Sequence, residues 1–362
     1  MKSLYFGSLV KTRTQESDNS RSNLASLEAQ WESQKERQRR IIKFMLLVLV
    51  VAVIFLIAMW FLVTQPELSR ATPSSERTVD PARLHAHVRK LAELGPRDES
   101  HIENLDRVAA YIRDEFSQTT SVVLEQPYRV NGKSYRNVIA RFGPESEERI
   151  VVGAHYDTAG ALPGADDNAS GVAGLIELAR LLGRQPPPMR VELVAYTLEE
   201  PPYFGTTGMG SSVHAESLRK ENVRVRAMFS LEMIGYFSDA PNSQRFPLGL
   251  FGAFYPSTGN FIGVVGRFGD WSLVRHTKGA MRRAAPLPVY SINAPSFVTG
   301  VDFSDQRNYW HAGYTAVMIT DTAFFRNGNY HTKDDTDEKL DYKRMAMVVE
   351  GVFAAVSELA KQ

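Results

Sequence analysis

Four apolar runs of the sequence end at acidic or histidine residues, the side chains that most often bind metal ions or transfer protons. The runs are RIVVGAHYD, VELVAYTLEE, VRAMFSLEMIG and TAVMITDT, and the residues at or shortly beyond their ends are His155, Asp157, Glu199, Glu200, Glu232 and His331. In open α/β sheets, ligands bind outside the carboxyl ends of the strands. We therefore expect these side chains to converge at one edge of a sheet.

Two imidazoles and several carboxylates without a thiolate suit Zn²⁺, with Mn²⁺ or Co²⁺ as substitutes. The chain has no cysteine, which excludes a cysteine nucleophile, a disulfide framework and cysteine-ligated structural zinc. Carboxylates that lie close together raise one another's pKa, and two divalent ions would relieve that repulsion. Two metal ions that lie this close together need a ligand that bridges them, and a carboxylate is suited to that role.

The segment GADDNASG places Asp166 and Asp167 in front of the helical pattern SGVAGLIELARLL. A helix N-cap needs one such residue, so the second aspartate calls for another explanation. Each candidate also has a plain structural interpretation: His155 as a core histidine, Glu199 and Glu200 as a solvated strand exit, Asp166 and Asp167 as a cap, Glu232 as a surface residue, and YHTKDDT as a turn. The recurrence of such groups at four strand ends favours a metal site.

Composition indicates a globular chain of one large domain or two ordinary ones, with 362 residues, 43% hydrophobic and 23% charged. The net charge is +1, and residues 1–43 hold nine Lys or Arg against five Asp or Glu. The remainder is slightly acidic, so we expect no nucleic-acid partner. No G-x-S-x-G motif occurs, which disfavours a serine hydrolase.

The run from Phe44 to Val63 holds 20 uncharged, almost wholly apolar residues, the length of a membrane-spanning helix. It begins too late, and lacks the small-residue cleavage site, for a signal peptide. Five cations between Lys35 and Lys43 precede it, so the positive-inside bias predicts a cytoplasmic tail over 1–43, a span over 44–63, and a periplasmic or extracellular domain beyond. The composition of residues 1–40 indicates a disordered tail whose last part extends the helix.

A linker is predicted over 64–79, from its Pro, Ser and Thr content, and a single α/β domain over 80–362. Asp80 and Pro81 predict a helix start before ARLHAHVRKLAEL, and ENLDRVAAYIRDEF predicts a second helix. SVVLEQPYRV and SYRNVIARF flank the turn signal NGK and read as a hairpin. Strands and helices then alternate, which is typical of a mostly parallel sheet.

Five ordered segments, HYDT, PGADDNASGV, LEEPP, SLEMIG and YHTKDDT, resemble metallopeptidase family 28 of clan MH. This family comprises co-catalytic zinc aminopeptidases and also includes glutamate carboxypeptidases and glutaminyl cyclases. The resemblance covers about residues 80 to 358 and implies a bacterial, membrane-anchored member. It implies a three-layer αβα zinc-peptidase fold with a mixed, mostly parallel central sheet, preceded by one transmembrane helix.

The resemblance also implies roles for individual residues around two zinc ions. His155 and Glu232 would bind one ion, Glu200 and His331 the other, and Asp167 would bridge both. Asp157 would hydrogen-bond the His155 imidazole, and Glu199 would be the general base that takes a proton from the metal-activated water. Asp335 would support the site from outside the ligands, and the Asp167–Asn168 peptide bond would be cis.

The sequence departs from the family pattern in two places. Glu232 stands where many members have Asp, and we expect it still to bind metal. Gln306, in VDFSDQRNYW, stands where bacterial relatives often have His, which puts a substrate-contact role of that position in doubt. The region FPLGLFGAFYPSTGNFIGVVG either lines a substrate pocket or packs on the sheet as a loop.

The leading hypothesis from the sequence is a zinc aminopeptidase that removes N-terminal residues from peptides. A carboxypeptidase or a glutaminyl cyclase on the same site remains open, because the ligands would be shared. An inactive peptidase-like binding domain would have lost ligands, whereas this sequence retains all five. Side-chain specificity and oligomeric state are not predicted.

Overall fold

The computed structural model describes residues 4–66, 78–120 and 122–362, with side chains from residue 19 onward. The chain divides into two compact units, Met1–Trp60 and Phe61–Gln362. Most of the predicted linker, residues 67–77, lies outside the described residues.

The first helix, α1, runs from Leu4 to Thr64 and is long and apolar enough to cross a membrane, by length and composition alone. A signal sequence near an N-terminus passes the same test. The disorder predicted for residues 1–40 is not seen from Leu4 onward, because the helix continues backward from the apolar run. Helix-forming Glu, Gln, Lys and Arg residues and ion pairs such as Lys35–Glu32, at 2.9 Å, support that continuation.

Two helices precede the sheet, as the sequence predicts. Helix α2 spans Pro81–Glu93, and the Asp80 side chain accepts the Ala82 N–H at its start. Helix α3 spans Ile102–Ser117. The apolar residues of both helices are buried on one face, so both helices pack on the core.

Eight strands form one mixed sheet with the order β1-β2-β4-β3-β5-β8-β6-β7. The strands are β1 Val123–Val130, β2 Lys133–Phe142, β3 Glu148–His155, β4 Arg190–Tyr196, β5 Arg224–Glu232, β6 Ile262–Gly266, β7 Val289–Asn293 and β8 Ala316–Thr320. Strands β1 and β2 form the predicted hairpin. Four pairings are parallel and three are antiparallel, so the mixed, mostly parallel sheet is confirmed.

Helices cover both faces of this sheet and complete three layers. The remaining helices are α4 Gly171–Arg184, α5 Gly210–Lys220, α6 Trp271–Ala284, α7 Gln306–His311 and α8 Tyr342–Leu359. Side chains of β3 alternate between the layers, since Ile150 and Val152 join the larger core with α2, α3, α4, α6 and α8. Val151 joins the smaller core, with α5 and α7. This alternation is expected of a sheet buried on both faces.

The four strands that carry the candidate ligands are neighbours in the order β4-β3-β5-β8, and all are parallel. Their carboxyl ends therefore meet at one edge. In the sequence, β6 and β7 lie between β5 and β8, so the four runs are not consecutive strands. The segment FIGVVG, left above as part of a pocket or loop region, contains β6.

Glu192 connects the strands that position this edge. It is fully buried in the middle of β4 and lies 2.7 Å from Arg149 of β3 and 2.8 Å from Arg141 of β2. Although burial opposes it, contacts with His214 and these two arginines lower the pKa of Glu192 to about 2. A buried ion network of this kind is costly to break, because the remaining charges lose their partner.

We expect Glu192→Gln to lower the free energy of unfolding by about 3–5 kcal/mol, since two arginines would face a neutral amide. The matched control is Glu145→Gln, because Glu145 pairs with Arg190 at 2.7 Å but is 71% exposed, and such pairs contribute about 0–1 kcal/mol. Denaturant unfolding followed by circular dichroism measures both. Equal losses in the two variants would contradict the structural role of Glu192.

Candidate metal centre

Two groups of side chains meet at the carboxyl edge of the central strands, and Asp167 belongs to both. In the first group, Nε2 of His155 lies 3.4 Å from Oδ1 of Asp167 and 3.3 Å from Oε2 of Glu232. In the second, Nε2 of His331 lies 3.0 Å from Oδ2 of Asp167 and 3.2 Å from Oε1 of Glu200. The structure thus brings the five expected ligands together in the expected groups.

The spacing and the unsatisfied atoms of these side chains fit metal binding. A tetrahedral zinc ion with nitrogen and oxygen ligands at about 2.0–2.2 Å holds those atoms about 3.3–3.6 Å apart, close to the separations of 3.0 to 3.4 Å seen here. Among the described residues, Nε2 of His155, Nε2 of His331 and Oε1 of Glu200 are buried without a hydrogen-bond partner. Buried polar atoms normally have one, and a cation in each group would supply it.

The loop before α4 holds Asp167 between the two groups. The Asp167–Asn168 peptide bond is cis, as the family resemblance implies. The Asn168 side chain donates to the Leu231 carbonyl, at 2.8 Å, and accepts the Met233 N–H, at 3.0 Å. These two bonds tie the loop to the end of β5, where Glu232 is located.

Left-handed backbone turns lie at the points where the chain leaves its strands. Leu198, with φ of 62°, precedes Glu199, and Met233, with φ of 50°, follows Glu232. His331 itself has φ of 53°. Residues other than glycine rarely adopt this conformation, and those that do are concentrated at functional sites.

Asp157 holds the segment that carries the proposed base. Its carboxylate accepts the N–H groups of Glu199 and Glu200, at 3.1 and 3.0 Å. Nδ1 of His155 lies 3.2 Å from the Asp157 carbonyl oxygen and 3.6 Å from the carboxylate. The expected contact with the imidazole is therefore made by the Asp157 backbone, and the carboxylate positions two neighbouring acidic residues.

Asp335 makes the same kind of contact on the other side of the site. Its two carboxylate oxygens accept the N–H groups of Asp166 and Asp167, at 3.0 and 3.1 Å. Burial and the nearby Asp166 raise the pKa of Asp335 to about 7. This contact agrees with the supporting role implied for Asp335 by the family resemblance.

The neighbouring aspartate, Asp166, points away from both groups. It is fully buried, accepts the Gly235 N–H at 3.0 Å and the Asn327 side chain at 2.8 Å, and neighbours Asp321. Burial and Asp321 raise the pKa of Asp166 well above its usual value. The two adjacent aspartates therefore have different surroundings, and only Asp167 faces the candidate ligands.

Glu199 lies next to the candidate ligands but belongs to neither group. Its carboxylate is buried and lies 3.9 Å from Nε2 of His155. Burial raises its pKa; the His155 imidazole opposes the shift, and nearby carboxylates reinforce it. A carboxyl group with a raised pKa beside a metal centre is suited to accept and return a proton near neutral pH.

The titration of the ligands reflects the same crowding of acidic groups. Burial and the adjacent Asp167 raise the pKa of Glu200 to about 8. Although burial opposes it, Asp167 and Glu200 raise the pKa of His331 to about 10. Without metal, the site therefore retains protons, and metal binding must displace them.

Several supporting residues were not predicted from the sequence. Ser304 donates to Oε2 of Glu232 at 2.6 Å, and Asp305 is fully buried, with its backbone carbonyl accepting the Asn308 N–H at 3.2 Å. Tyr330 stacks on the His331 ring, with centroids 3.8 Å apart. In the sequence, the segment VDFSDQRNYW points only to Gln306, whose buried side chain donates to the Val301 carbonyl at 3.0 Å.

Arg97 is a further missed residue, and its side chain is almost fully buried. It donates to the carbonyls of Tyr156, at 3.0 Å, Pro163, at 2.8 Å, and Gly164, at 2.8 Å. It therefore joins the chain after His155 to the loop that carries Asp167. Its only sequence signal is the segment GPRD, which reads as an ordinary turn.

A cavity of about 120 Å³ opens beside the first ligand group, with Glu232 and Tyr330 in its wall. The other walls are mainly aromatic, with Phe246, Phe251, Tyr255, Phe261, Tyr290, Phe303, Phe324 and Phe325 among the lining residues. Half of these residues come from the region 246–266, so that region supplies both a cavity wall and strand β6. The region therefore lines a cavity, and its last part is a strand of the sheet instead of a loop packed on it.

Comparison with known proteins gives the same family for the chain. The profile of peptidase family M28 matches residues 137–356. The uncharacterized protein YfbL of Escherichia coli is 47% identical over 292 residues, which are 78% of this chain and 90% of YfbL. A probable leucine aminopeptidase of Trichophyton verrucosum is 27% identical over 62% of this chain and 57% of its own length, so the match spans little more than half of that relative.

Solved structures with a similar fold include LapB from Legionella pneumophila, with a TM-score of 0.63, 22% identity, and 79% and 73% of the two chains covered. BSAP, a zinc aminopeptidase from Bacillus subtilis, has a TM-score of 0.63, 15% identity, and 78% and 96% coverage. A glutaminyl cyclase of Fimbriiglobus ruber has a TM-score of 0.58, 20% identity, and 80% and 99% coverage. The family profile covers more than half of the chain, and its span includes all five candidate ligands and Glu199: this chain belongs to peptidase family M28.

Proposed function

We propose that this protein is a membrane-anchored aminopeptidase with two zinc ions, which hydrolyses N-terminal peptide bonds. The observation that carries the proposal is the pair of ligand groups that share Asp167, with the buried carboxylate of Glu199 beside them. His155 and Glu232 would bind one ion, Glu200 and His331 would bind the other, and Asp167 would belong to both groups.

Zinc at these groups would supply a Lewis acid for the scissile carbonyl and would lower the pKa of the attacking water. Glu199 takes the proton of that water and returns it to the departing amine. Asp157 holds the Glu199 backbone at the required place, since its carboxylate accepts the Glu199 N–H. Asp335 does the same for Asp167.

Release of N-terminal residues is supported by the similarity to the probable leucine aminopeptidase of Trichophyton verrucosum and by the aromatic-lined cavity beside Glu232. Such a cavity suits the side chain of the terminal residue, because apolar walls favour burial of an apolar group. The structural similarity to a glutaminyl cyclase keeps that activity as the alternative. An inactive binding role is disfavoured because the ligands and Glu199 are all retained.

The membrane part of the proposal places residues 44–63 in the bilayer. The cluster of cations before Phe44 supports a cytoplasmic N-terminus and a catalytic domain that is periplasmic or extracellular. The described helix α1 is continuous through this run and ends at Thr64.

We expect Glu199→Gln to lower kcat by about 10²–10⁴-fold, because the general base is lost, while bound zinc stays at the wild-type level. Turnover of aminoacyl 4-nitroanilides and metal analysis by mass spectrometry measure the two effects, and Glu221→Gln, an exposed site, is the control.

Cleavage of free peptides but not of N-acetylated ones identifies an aminopeptidase. Wild-type protein with full zinc that is no faster than the variant would refute the activity, and release of ammonia from N-terminal glutamine would favour the cyclase.

Asp167→Asn should remove both metal ions, because an amide bridges two cations poorly. Asp166→Asn should leave the metal content close to that of the wild type, since Asp166 contacts Gly235 and Asn327 instead of the ligands. Zinc per chain after dialysis measures the difference. Equal losses in the two variants would show that the bridging residue is assigned wrongly.

Zinc should stabilise the protein more as the pH rises. The raised pKa of Glu200, about 8, and that of His331, about 10, mean that the metal-free protein loses stability as pH increases above the usual values of these groups. Zinc binds the deprotonated forms, so the rise in Tm on adding zinc should be larger at about pH 8.5 than at about pH 5.5. Differential scanning calorimetry tests this, with Mg²⁺ as the control ion. A zinc-induced shift that is independent of pH would contradict the assignment of the ligands.

A further inference from the structure

Several large apolar side chains are exposed in residues 248–271 of the second compact unit, Phe61–Gln362, which we call the catalytic unit. Leu248, Leu250 and Phe254 belong to the turn around Gly249–Ala253 and are 51%, 70% and 46% exposed. Trp271, the first residue of α6, is 50% exposed. We call these four residues the apolar surface. Exposed apolar patches of this kind usually mark a site of contact.

The end of the apolar helix is fixed to the same region. The Thr64 carbonyl accepts hydrogen bonds from Ser291 of β7 and from Lys278 of α6, both at 2.9 Å. The Gln65 side chain donates to the Trp271 carbonyl, also at 2.9 Å. Thr64 and Gln65 are buried. The residue that follows the apolar run is therefore held against α6 and against β7, at one edge of the sheet.

The turn that carries the other apolar side chains reaches the same strand. The Tyr255 hydroxyl donates to the Ser291 carbonyl at 2.8 Å. The Tyr255 ring packs edge-on against Phe251, at 6.2 Å between centroids, and against Tyr290 of β7, at 6.1 Å. Ser291 thus contacts Thr64 through its side chain and Tyr255 through its backbone, and the Trp271 carbonyl contacts Gln65, so the turn and the start of α6 are both linked by hydrogen bonds to the end of α1.

Basic residues outnumber acidic ones in this region of the sequence. Residues 241–300 contain six Lys or Arg and a single acidic residue, Asp270. Asp270 is buried and paired with Arg267 at 3.1 Å. Arg245 and Arg275 are exposed. Cationic side chains beside apolar ones are suited to a surface of anionic lipid headgroups.

We propose that the apolar surface inserts into the headgroup region of the same lipid bilayer that α1 enters. The proposal rests on the membrane-anchor part of the proposed function and is independent of the aminopeptidase activity. Val63 ends the apolar run, and its neighbour Thr64 is hydrogen-bonded to β7. The boundary of the bilayer therefore lies one residue away from a fixed point of the catalytic unit, and the side chains around that point reach the lipid. Tryptophan and arginine are suited to this depth.

The absence of cysteine from the sequence allows single nitroxide labels on the full-length chain in lipid nanodiscs that contain anionic lipid. Labels would be placed through Leu250→Cys and Trp271→Cys. The matched control is Leu124→Cys, a 40% exposed leucine on β1, at the opposite edge of the sheet from β7. Leu56→Cys, within the apolar run, serves as the reference for the bilayer. Collision rates with oxygen and with a water-soluble nickel complex measure the depth of each label.

Labels at positions 250 and 271 should collide with oxygen several-fold more often than with nickel, as the label at 56 does, whereas the label at 124 should show the reverse. If the labels at 250 and 271 behave like the label at 124 while the label at 56 is in lipid, insertion of the apolar surface is refuted and the membrane span over 44–63 is retained. If the label at 56 is in water, both the insertion and the membrane span are refuted. Protection of 250 and 271 from oxygen and nickel alike would indicate a protein partner and would also refute the proposal. Peptide hydrolysis in the same nanodiscs reports separately on the aminopeptidase activity.

Discussion

Repulsion among buried carboxylates is the constraint on which the rest of this structure depends. Asp167, Glu199, Glu200 and Glu232 are all buried at one edge of the sheet, and each charge raises the free energy of the others. Two histidines in the same place give only partial compensation, and their unsatisfied Nε2 atoms point into the site. An arrangement of this kind is stable when cations occupy it. Metal binding would therefore also stabilise this edge of the sheet.

Hydrogen bonds to the backbone fix the positions of these acidic residues. Asp157 and Asp335 each accept two successive backbone N–H groups, which fixes two pairs of acidic residues from behind. Arg97 adds a buried positive charge, and burial lowers its pKa to about 10 although Asp335 opposes that shift. These hydrogen bonds therefore hold the backbone of the candidate ligands in place, so that their side chains do not turn toward solvent. Such support is what gives a metal site a defined geometry.

The sequence predicted the parts of this site that are local. Strand ends followed by acidic residues predicted where the ligands lie, and Asp80 with Pro81 predicted the start of α2. Contacts between distant segments were missed, because no local pattern carries them: Arg97 lies in an ordinary turn, and Ser304 donates to Glu232, which lies 72 residues earlier in the sequence. Strand β6 was obscured because its glycines resemble a loop, and the helical tail was obscured because its polar composition also suits disorder.

The region 246–266 connects the candidate metal centre with the edge of the sheet where α1 ends. Phe251 and Tyr255 line the cavity beside Glu232, and Tyr255 also bonds to Ser291, whose side chain holds Thr64. A few aromatic residues therefore separate the cavity from the apolar surface. Because interiors are closely packed, a shift of this turn would alter the cavity wall. Contact of the turn with a bilayer would thus restrict the cavity beside Glu232, and the membrane would contribute to the shape of the candidate site.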